Sequence, residues 1–183
     1  MAIRSRLDWF HLGREYYVMG RFGISTLLLT VAATCLHHAI EMFLKGYLCA
    51  TISDDDLKRK FGHNLPKLWA RFRQEVTDPQ LAEFDQTTAE LDEFEDLRYP
   101  LEDYAAIWMT FPSSRVGGPA QPAATPPKVH NFSLVTGEVD RLVVALYKHA
   151  GCHLIAGMGP DAVHYLTKDN PCANDWQSTP TTT

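Results

Sequence analysis

The sequence lacks the common motifs for cofactor binding and has few cysteines that could form disulfides. It has four cysteines, and no two of them stand at the spacing of a zinc ribbon or a redox pair. It also lacks a glycine-rich phosphate loop and a serine–histidine–aspartate set. We therefore expect no cofactor and four cysteines that act as small buried apolar side chains. Because no signal peptide is evident at the N-terminus, we expect a cytoplasmic protein.

No apolar run is long enough to form a membrane helix. The most apolar stretch, residues 24–51, is interrupted by four ionisable side chains, namely His37, His38, Glu41 and Lys45. These interruptions come well before the roughly 20 apolar residues that a membrane helix requires. We expect no association with a membrane.

Basic residues are too few for a uniformly basic surface. The net charge is −5, but residues 1–74 carry +5 and residues 75–183 carry −10. This distribution argues against a basic coat for nucleic acid over the whole surface. It permits one basic face, or the pairing of unlike faces between subunits.

Residues 24–51 are the stretch around which we expect the chain to fold. One narrow polar stripe runs along a helix in this stretch, at spacings of four or three residues, and consists of Thr30, Thr34, His37, Glu41 and Lys45. The rest of the helical wheel is mostly apolar, and one neighbouring helix cannot cover so wide a surface. The pattern predicts the central helix of an all-α, up-and-down bundle.

The other predicted elements complete a bundle of about five helices and add one shorter helical piece. They are a first helix at Leu7–Phe22 that ends at Gly20 and Gly23, a helix capped by Asn64, a helix that begins at Asp78, a helical piece at Leu101–Phe111 and a final helix at Ser133–Ala150. A Pro/Gly-rich stretch before the final helix predicts a mobile loop at 112–130. We expect one domain at 1–157, a partly disordered tail at 158–183 and no strands.

Three short segments resemble the HEPN family of helical domains, and the third is Arg98-Tyr99-Pro100 after an acidic helix. The pattern of that family is matched by Ala39, Glu41, Leu44 and Lys45 on the central helix and then by His63, Leu65 and Leu68. The resemblance covers roughly residues 7–155. It implies a homodimer, an RNA or nucleotide ligand, and possible coupling to a nucleotidyltransferase-type partner or a toxin–antitoxin or defence system.

The catalytic motif of HEPN ribonucleases is absent from the place where the resemblance puts it. In that motif an arginine holds a phosphate, and a histidine that follows after four to six intervening residues moves a proton. Arg98 matches the arginine, but the corresponding later positions are Asp103, Tyr104 and Ala105. Aspartate, with an ordinary pKa of about 3.9, is a poor base at neutral pH. Arg98, Asp103 and Tyr104 are therefore weak catalytic candidates, and we expect a catalytically degenerate member.

A group of cations on adjoining segments is the predicted ligand-binding surface. Together with Arg98, the candidates are Lys58, Arg59, Lys60, Lys67 and Arg71. Trp69 and Phe72 are interleaved with the cations, which is typical of surfaces that bind phosphates and bases. The alternative is a solvated helix face above core aromatics.

Histidines at ligand spacing do not lead us to predict a metal site. His37 and Glu41 are one helical turn apart, but Lys45 on the same stripe would repel a cation. The alternative is a polar seam in which Glu41 pairs with Lys45. His149 and His153 have the same spacing at the end of the last helix. We predict no metal at either place, and we expect His63 to order the loop before the next helix.

Three functions remain open at this level. The first is a HEPN-type module that binds RNA, a nucleotide or a partner protein as a homodimer. The second is a metal-independent endoribonuclease, of the toxin or defence type, with a non-standard site. The third is a structural module for protein–protein interaction.

Overall fold

Seven α-helices and one two-stranded sheet form the described part of the chain. The computed structural model describes residues 5–98, 106–114, 129–155 and 157–176. The helices are α1 (Arg6–Ser25), α2 (Leu29–Leu48), α3 (Asp54–Asp56), α4 (Leu65–Val76), α5 (Asp85–Glu93), α6 (Thr136–Ala150) and α7 (Pro160–Thr167). Shorter segments are a π-helical turn (Leu57–Phe61), two 3₁₀ helices (Pro79–Phe84 and Phe94–Arg98) and the strands β1 (Ala106–Thr110) and β2 (Val129–Ser133). The predicted all-α class is confirmed.

The helices α1 and α2 form a closely packed antiparallel hairpin. A Cβ atom on Gly13 would lie 2.5 Å from a ring carbon of Phe43, and one on Gly23 would lie 2.9 Å from the Cβ of Ala32. The predicted end of the first helix at Gly20 and Gly23 is wrong, because α1 continues to Ser25. The glycines allow close approach to α2 instead of ending the helix.

The predicted central position of α2 is confirmed. This helix contacts α1, α4, α5, α6 and the 3₁₀ helix Phe94–Arg98. Most of its apolar side chains are buried, and so are His37, Glu41 and Lys45 of the polar stripe. The start of the predicted stretch differs, because Leu28 and Val31 are about half exposed at the tip of the hairpin.

The helix starts predicted from capping residues are confirmed at two places. The side chain of Asn64 accepts a hydrogen bond from the backbone N–H of Lys67 at 2.8 Å and caps α4. The side chain of Asp78 accepts one from Gln80 at 2.9 Å, but the turn that follows is a 3₁₀ helix that leads into α5. These contacts are local, so the sequence predicts them well.

The predictions of a helical piece at Leu101–Phe111 and of no strands are wrong. Residues 106–110 form β1, which pairs in parallel with β2 from Ala106 opposite Val129 to Thr110 opposite Ser133. β-branched and aromatic residues favour the extended conformation there. Parallel strands need a long connection, and part of the predicted loop 112–130 provides it. Residues 115–128 of that loop lie outside the described part.

The segment after α6 packs against the bundle as far as residue 176. The helix α7 lies within the predicted tail, and it contacts α1. Leu166 is fully buried, and Asn170 is 8% exposed. The Thr-rich end at 177–183 lies outside the described residues, so its predicted disorder stays a prediction.

The described helices do not meet the requirements of a membrane span. None of them combines the length and the apolar character that crossing a bilayer requires.

Candidate functional site

A cleft of about 910 Å³ opens between α1, α2 and the segment 49–63. Aromatic and potentially cationic side chains line much of it, namely Trp9, Tyr16, His38, Lys45, Lys58 and His63. Acidic side chains that also line it are Glu41, Asp54 and Asp55. This size and this mixture of apolar walls with a few polar groups are typical of a small-molecule site.

Glu41 is the buried polar centre beside this cleft. Its residue is fully buried, and its carboxylate accepts a hydrogen bond from Lys45 Nζ at 2.5 Å. The predicted Glu41–Lys45 pair is therefore confirmed. His63 Nδ1 lies 3.1 Å from each of the two carboxylate oxygens. Burial alone would raise the pKa of Glu41, but Lys45 and His63 outweigh burial and hold that pKa below its usual value.

His63 connects the segment after the π-helical turn to α2. Its side chain is about half exposed, and its ring stacks on that of His38 with centroids 6.1 Å apart. His38 in turn packs edge-on against Tyr16 of α1. The contact between His63 and Glu41 agrees with the predicted role of His63 in ordering its loop. It also pairs a histidine with a buried carboxylate at the wall of the cleft.

His37 lies on the inner side of the same stripe. Its Nδ1 is 2.9 Å from the backbone oxygen of Leu91 in α5. Its Nε2 is 3.2 Å from Glu95 Oε2 and 3.9 Å from Glu41 Oε2. Glu95 could not be predicted at this place, because it reaches α2 only through the packing of the 3₁₀ helix Phe94–Arg98.

The predicted cationic surface is divided in the structure. Lys58 lines the cleft, whereas Arg59 and Lys60 form exposed ion pairs with Asp56 at 2.7 and 3.2 Å. Arg71 pairs with Glu75 at 2.7 Å, and the side chain of Lys67 is exposed on α4. Of these five cations, Lys58 is the one that the structure places at the cleft.

The predicted catalytic candidates lie at the limit of the described chain. Arg98 is the last residue of a 3₁₀ helix, and its side chain is outside what the structure describes. Asp103 and Tyr104 also lie outside the described residues. The roles of these three residues therefore stay predictions.

The second pair of histidines at ligand spacing has another partner. His149 Nε2 lies 3.3 Å from a carboxylate oxygen of Asp78. The four cysteines are free, but Cys172 alone is buried and the other three are partly exposed, so the expectation of four buried cysteines is wrong for three of them. Burial raises the pKa of Cys172 to about 11. The His149–Asp78 pair and Cys172 do not line the cleft, whereas Cys49 does.

A buried polar network at the opposite end of α1 was also missed. It joins Arg21 and Tyr17 of α1 to Asp140 of α6 and to Asn170 near the C-terminus. One sequence signal was present, since Asp140 is spaced by three and seven residues from the core residues Val143 and Tyr147. A charged residue on the apolar face of a helix indicates a buried partner.

The residues that carry the HEPN resemblance lie close together in the structure. Glu41 contacts both Lys45 and His63, and the apolar members Ala39, Leu44, Leu65 and Leu68 are all fully buried. These contacts account for the pattern as part of a core and of one wall of a cleft. Membership of the family stays a prediction. Comparison of the chain with protein-family models, with curated proteins and with solved structures finds no match.

Proposed function

We propose that the chain is a catalytically degenerate HEPN-type binding module that binds a nucleotide, free or within RNA, in the cleft beside Glu41. The observation that carries this proposal is the set of side chains at the cleft. Lys58 and His63 are suited to phosphate oxygens, and the rings of Trp9 and Tyr16 offer apolar surface for a base.

The acidic residues of the cleft fit the same type of ligand. Lys45 is neutralised by Glu41, so it contributes hydrogen-bonding capacity rather than net positive charge. Asp54 and Asp55 lie on the same lining as Lys58. Carboxylates bind ribose hydroxyl groups in other nucleotide sites. A site of mixed charge favours a single nucleotide unit over a long phosphate backbone.

The absence of the family's histidine supports binding without catalysis. The positions after Arg98 that would supply a proton acceptor hold Asp103, Tyr104 and Ala105. A carboxylate at the first of them is already ionised at neutral pH and takes up a proton poorly.

The proposal is tested by titrating the full chain with fluorescent mononucleotides and, separately, with a short single-stranded RNA. Lys58→Gln should weaken binding about tenfold or more, because a charged hydrogen bond contributes roughly 1.5 kcal/mol or more. Lys67→Gln is the matched control, since Lys67 is exposed and does not line the cleft. Equal affinities of the wild type and Lys58→Gln would contradict the site. Binding by RNA alone would identify the polymer as the ligand.

A second candidate function is metal-independent cleavage of RNA. The observation that favours it is the contact of His63 Nδ1 with the buried Glu41 carboxylate, because a carboxylate can orient a histidine that acts as a base through Nε2. Incubation with structured RNA, with and without a chelator, tests this candidate. Cleavage that persists with chelator and disappears in His63→Gln would favour the enzyme over the binding module.

We also propose that the module is a homodimer. Leu27, Leu28 and Val31 at the tip of the α1–α2 hairpin expose 79%, 52% and 53% of their surface, so apolar area remains for a partner. Light scattering should give about twice the monomer mass of 20.6 kDa. A monomer at high micromolar concentration would contradict the dimer. The suggested nucleotidyltransferase-type partner can be tested by pull-down of the products of the two flanking genes.

A further inference from the structure

We propose that His37, His38 and Glu95 bind one divalent transition-metal ion, of the zinc class, at the inner wall of the cleft. One ligand atom from each of the three side chains lies within 4.8 Å of the other two. Among the residues that the structure describes, this is the group of three that has metal-binding spacing. The inference goes beyond nucleotide binding and does not depend on it.

The tautomer of His37 is the first argument. Its Nδ1 lies 2.9 Å from the backbone oxygen of Leu91. A carbonyl oxygen only accepts hydrogen bonds, so Nδ1 carries the proton, and a neutral ring then has its lone pair on Nε2. Histidine ligands of metals usually have this arrangement, in which the other ring nitrogen donates to a backbone carbonyl or a carboxylate.

The position of His37 Nε2 is the second argument. The residue is fully buried, and Nε2 makes no hydrogen bond to any described residue. It is nevertheless 3.2 Å from Glu95 Oε2 and 3.9 Å from Glu41 Oε2. A lone pair that faces carboxylate oxygens at this distance is repelled by them, and a cation between these atoms removes the repulsion.

The ligand types indicate the class of metal. Two imidazoles and one carboxylate suit zinc and its first-row neighbours, whereas magnesium and calcium prefer oxygen ligands alone. The ligands of a tetrahedral zinc ion, at about 2.0–2.2 Å from the metal, lie roughly 3.4 Å apart. Small side-chain rotations would bring the three groups to that spacing. Three protein ligands leave one coordination position for water or a ligand oxygen.

The surrounding charges permit a cation at this place. Lys45 bonds to Glu41 Oε1, whereas Glu41 Oε2 is the oxygen that lies nearer to His37. Because Glu41 is paired with Lys45, its carboxylate offsets the repulsion that Lys45 alone would exert on a cation here. Access is available as well, because His38 lines the cleft and the Glu95 side chain is 30% exposed.

The test is titration of the chelator-treated full chain with Zn²⁺ by calorimetry, together with absorption spectra of the Co²⁺ form. We expect one ion per chain and a higher melting temperature in zinc. Glu95→Gln and His38→Ala should each weaken zinc binding more than about tenfold. His37→Asn should do the same, and its amide can still donate to the carbonyl of Leu91.

The matched control is His164→Ala, because His164 is an exposed histidine on α7. This variant should bind zinc as the wild type does, and its melting temperature should rise equally. The inference is overturned if the wild type binds no zinc, or if the affinity is unchanged in both Glu95→Gln and His38→Ala. Because the readouts are zinc affinity and the Co²⁺ spectrum, they remain decisive even if nucleotide binding fails.

Discussion

Arg21 and Asp140 form a buried ion pair that joins the first helix to the sixth. Arg21 Nη1 lies 2.6 Å from Asp140 Oδ2 and 2.7 Å from Oδ1, and both side chains are almost inaccessible to solvent. Tyr17 donates a further hydrogen bond to Asp140. Arg21 also donates to the backbone oxygens of Tyr165 and Lys168, at the end of α7 and just after it. One guanidinium group therefore connects three parts of the chain.

Asp140→Asn should destabilise the fold strongly. The change keeps the shape of the side chain but leaves the Arg21 charge buried without its partner, which costs roughly 3–5 kcal/mol. Glu75→Gln is the control, because the Arg71–Glu75 pair is partly exposed and its loss should cost less than about 1 kcal/mol. Urea unfolding measures both values. Similar losses in the two variants would contradict a structural role for the buried pair.

Ala39→Asp should prevent soluble folding. Ala39 is fully buried in the middle of α2, and an unpaired carboxylate there should cost several kcal/mol. Val31→Asp places the same charge on the same helix at a position that is 53% exposed, and it should be tolerated. Soluble yield and melting temperature check both variants. An Ala39→Asp protein with an unchanged melting temperature would remove α2 from the centre of the fold.

Gly13→Ala should also destabilise the α1–α2 hairpin. The new Cβ would lie 2.5 Å from a carbon of Phe43, whose ring is held between Phe10 and Tyr147. Overpacking costs about 1–3 kcal/mol, and the better helix propensity of alanine offsets about 1 kcal/mol of it. Gly159→Ala meets no atom within 4 Å and should change stability by less than about 0.5 kcal/mol. Thermal unfolding distinguishes the two, and a stabilised Gly13→Ala would argue against the close approach.

Glu41 should make the fold sensitive to acid. Lys45 and His63 lower the pKa of Glu41 in the folded protein in spite of burial. At a pH near or below the ordinary glutamate pKa of about 4.3, the unfolded state therefore binds more protons than the folded state. The contribution of ionised Glu41 to the free energy of unfolding is fully present above about pH 4.3. It is lost as the pH falls through the lower pKa that Glu41 has in the folded protein. Lys45→Met removes the main counter-charge, so the increase of stability with pH in this range should weaken or reverse. Urea unfolding at several acidic pH values gives the slope, and equal slopes in the two proteins would contradict this account.

Arg98 has two predicted roles that one pair of variants can separate. As a cation at the end of a helix, it would interact with free carbonyl groups and with the acidic neighbours Glu95 and Asp96, and Arg98→Lys should then change stability by less than about 1 kcal/mol. As a phosphate ligand, it would use its planar fork, and Arg98→Lys should lose nucleotide or RNA affinity at an unchanged melting temperature. If Arg98→Ala binds the ligand as the wild type does, the binding role is excluded.

The helix starts could be predicted from neighbouring residues, but the positions of the strands could not. Asn64 caps α4 through a backbone group three residues away, so a short window of sequence contains all of the relevant contact. Strand β1 pairs with residues 23 positions later, as in the contact of Thr110 with Ser133. Local patterns carry no information about such a partner. A short apolar segment is therefore easily interpreted as a helix.

The sequence by itself determined the all-α class, the central place of α2 and the Glu41–Lys45 pair. These features depend on helical periodicity and on contacts between residues one turn apart, which a helix imposes wherever it forms. Only the tertiary structure decided which side chains meet across the bundle. His37 contacts Leu91 over 54 residues and Arg21 contacts Asp140 over 119 residues. Such contacts depend on how whole helices pack, and the candidate site of His37, His38 and Glu95 therefore becomes visible only in the folded chain.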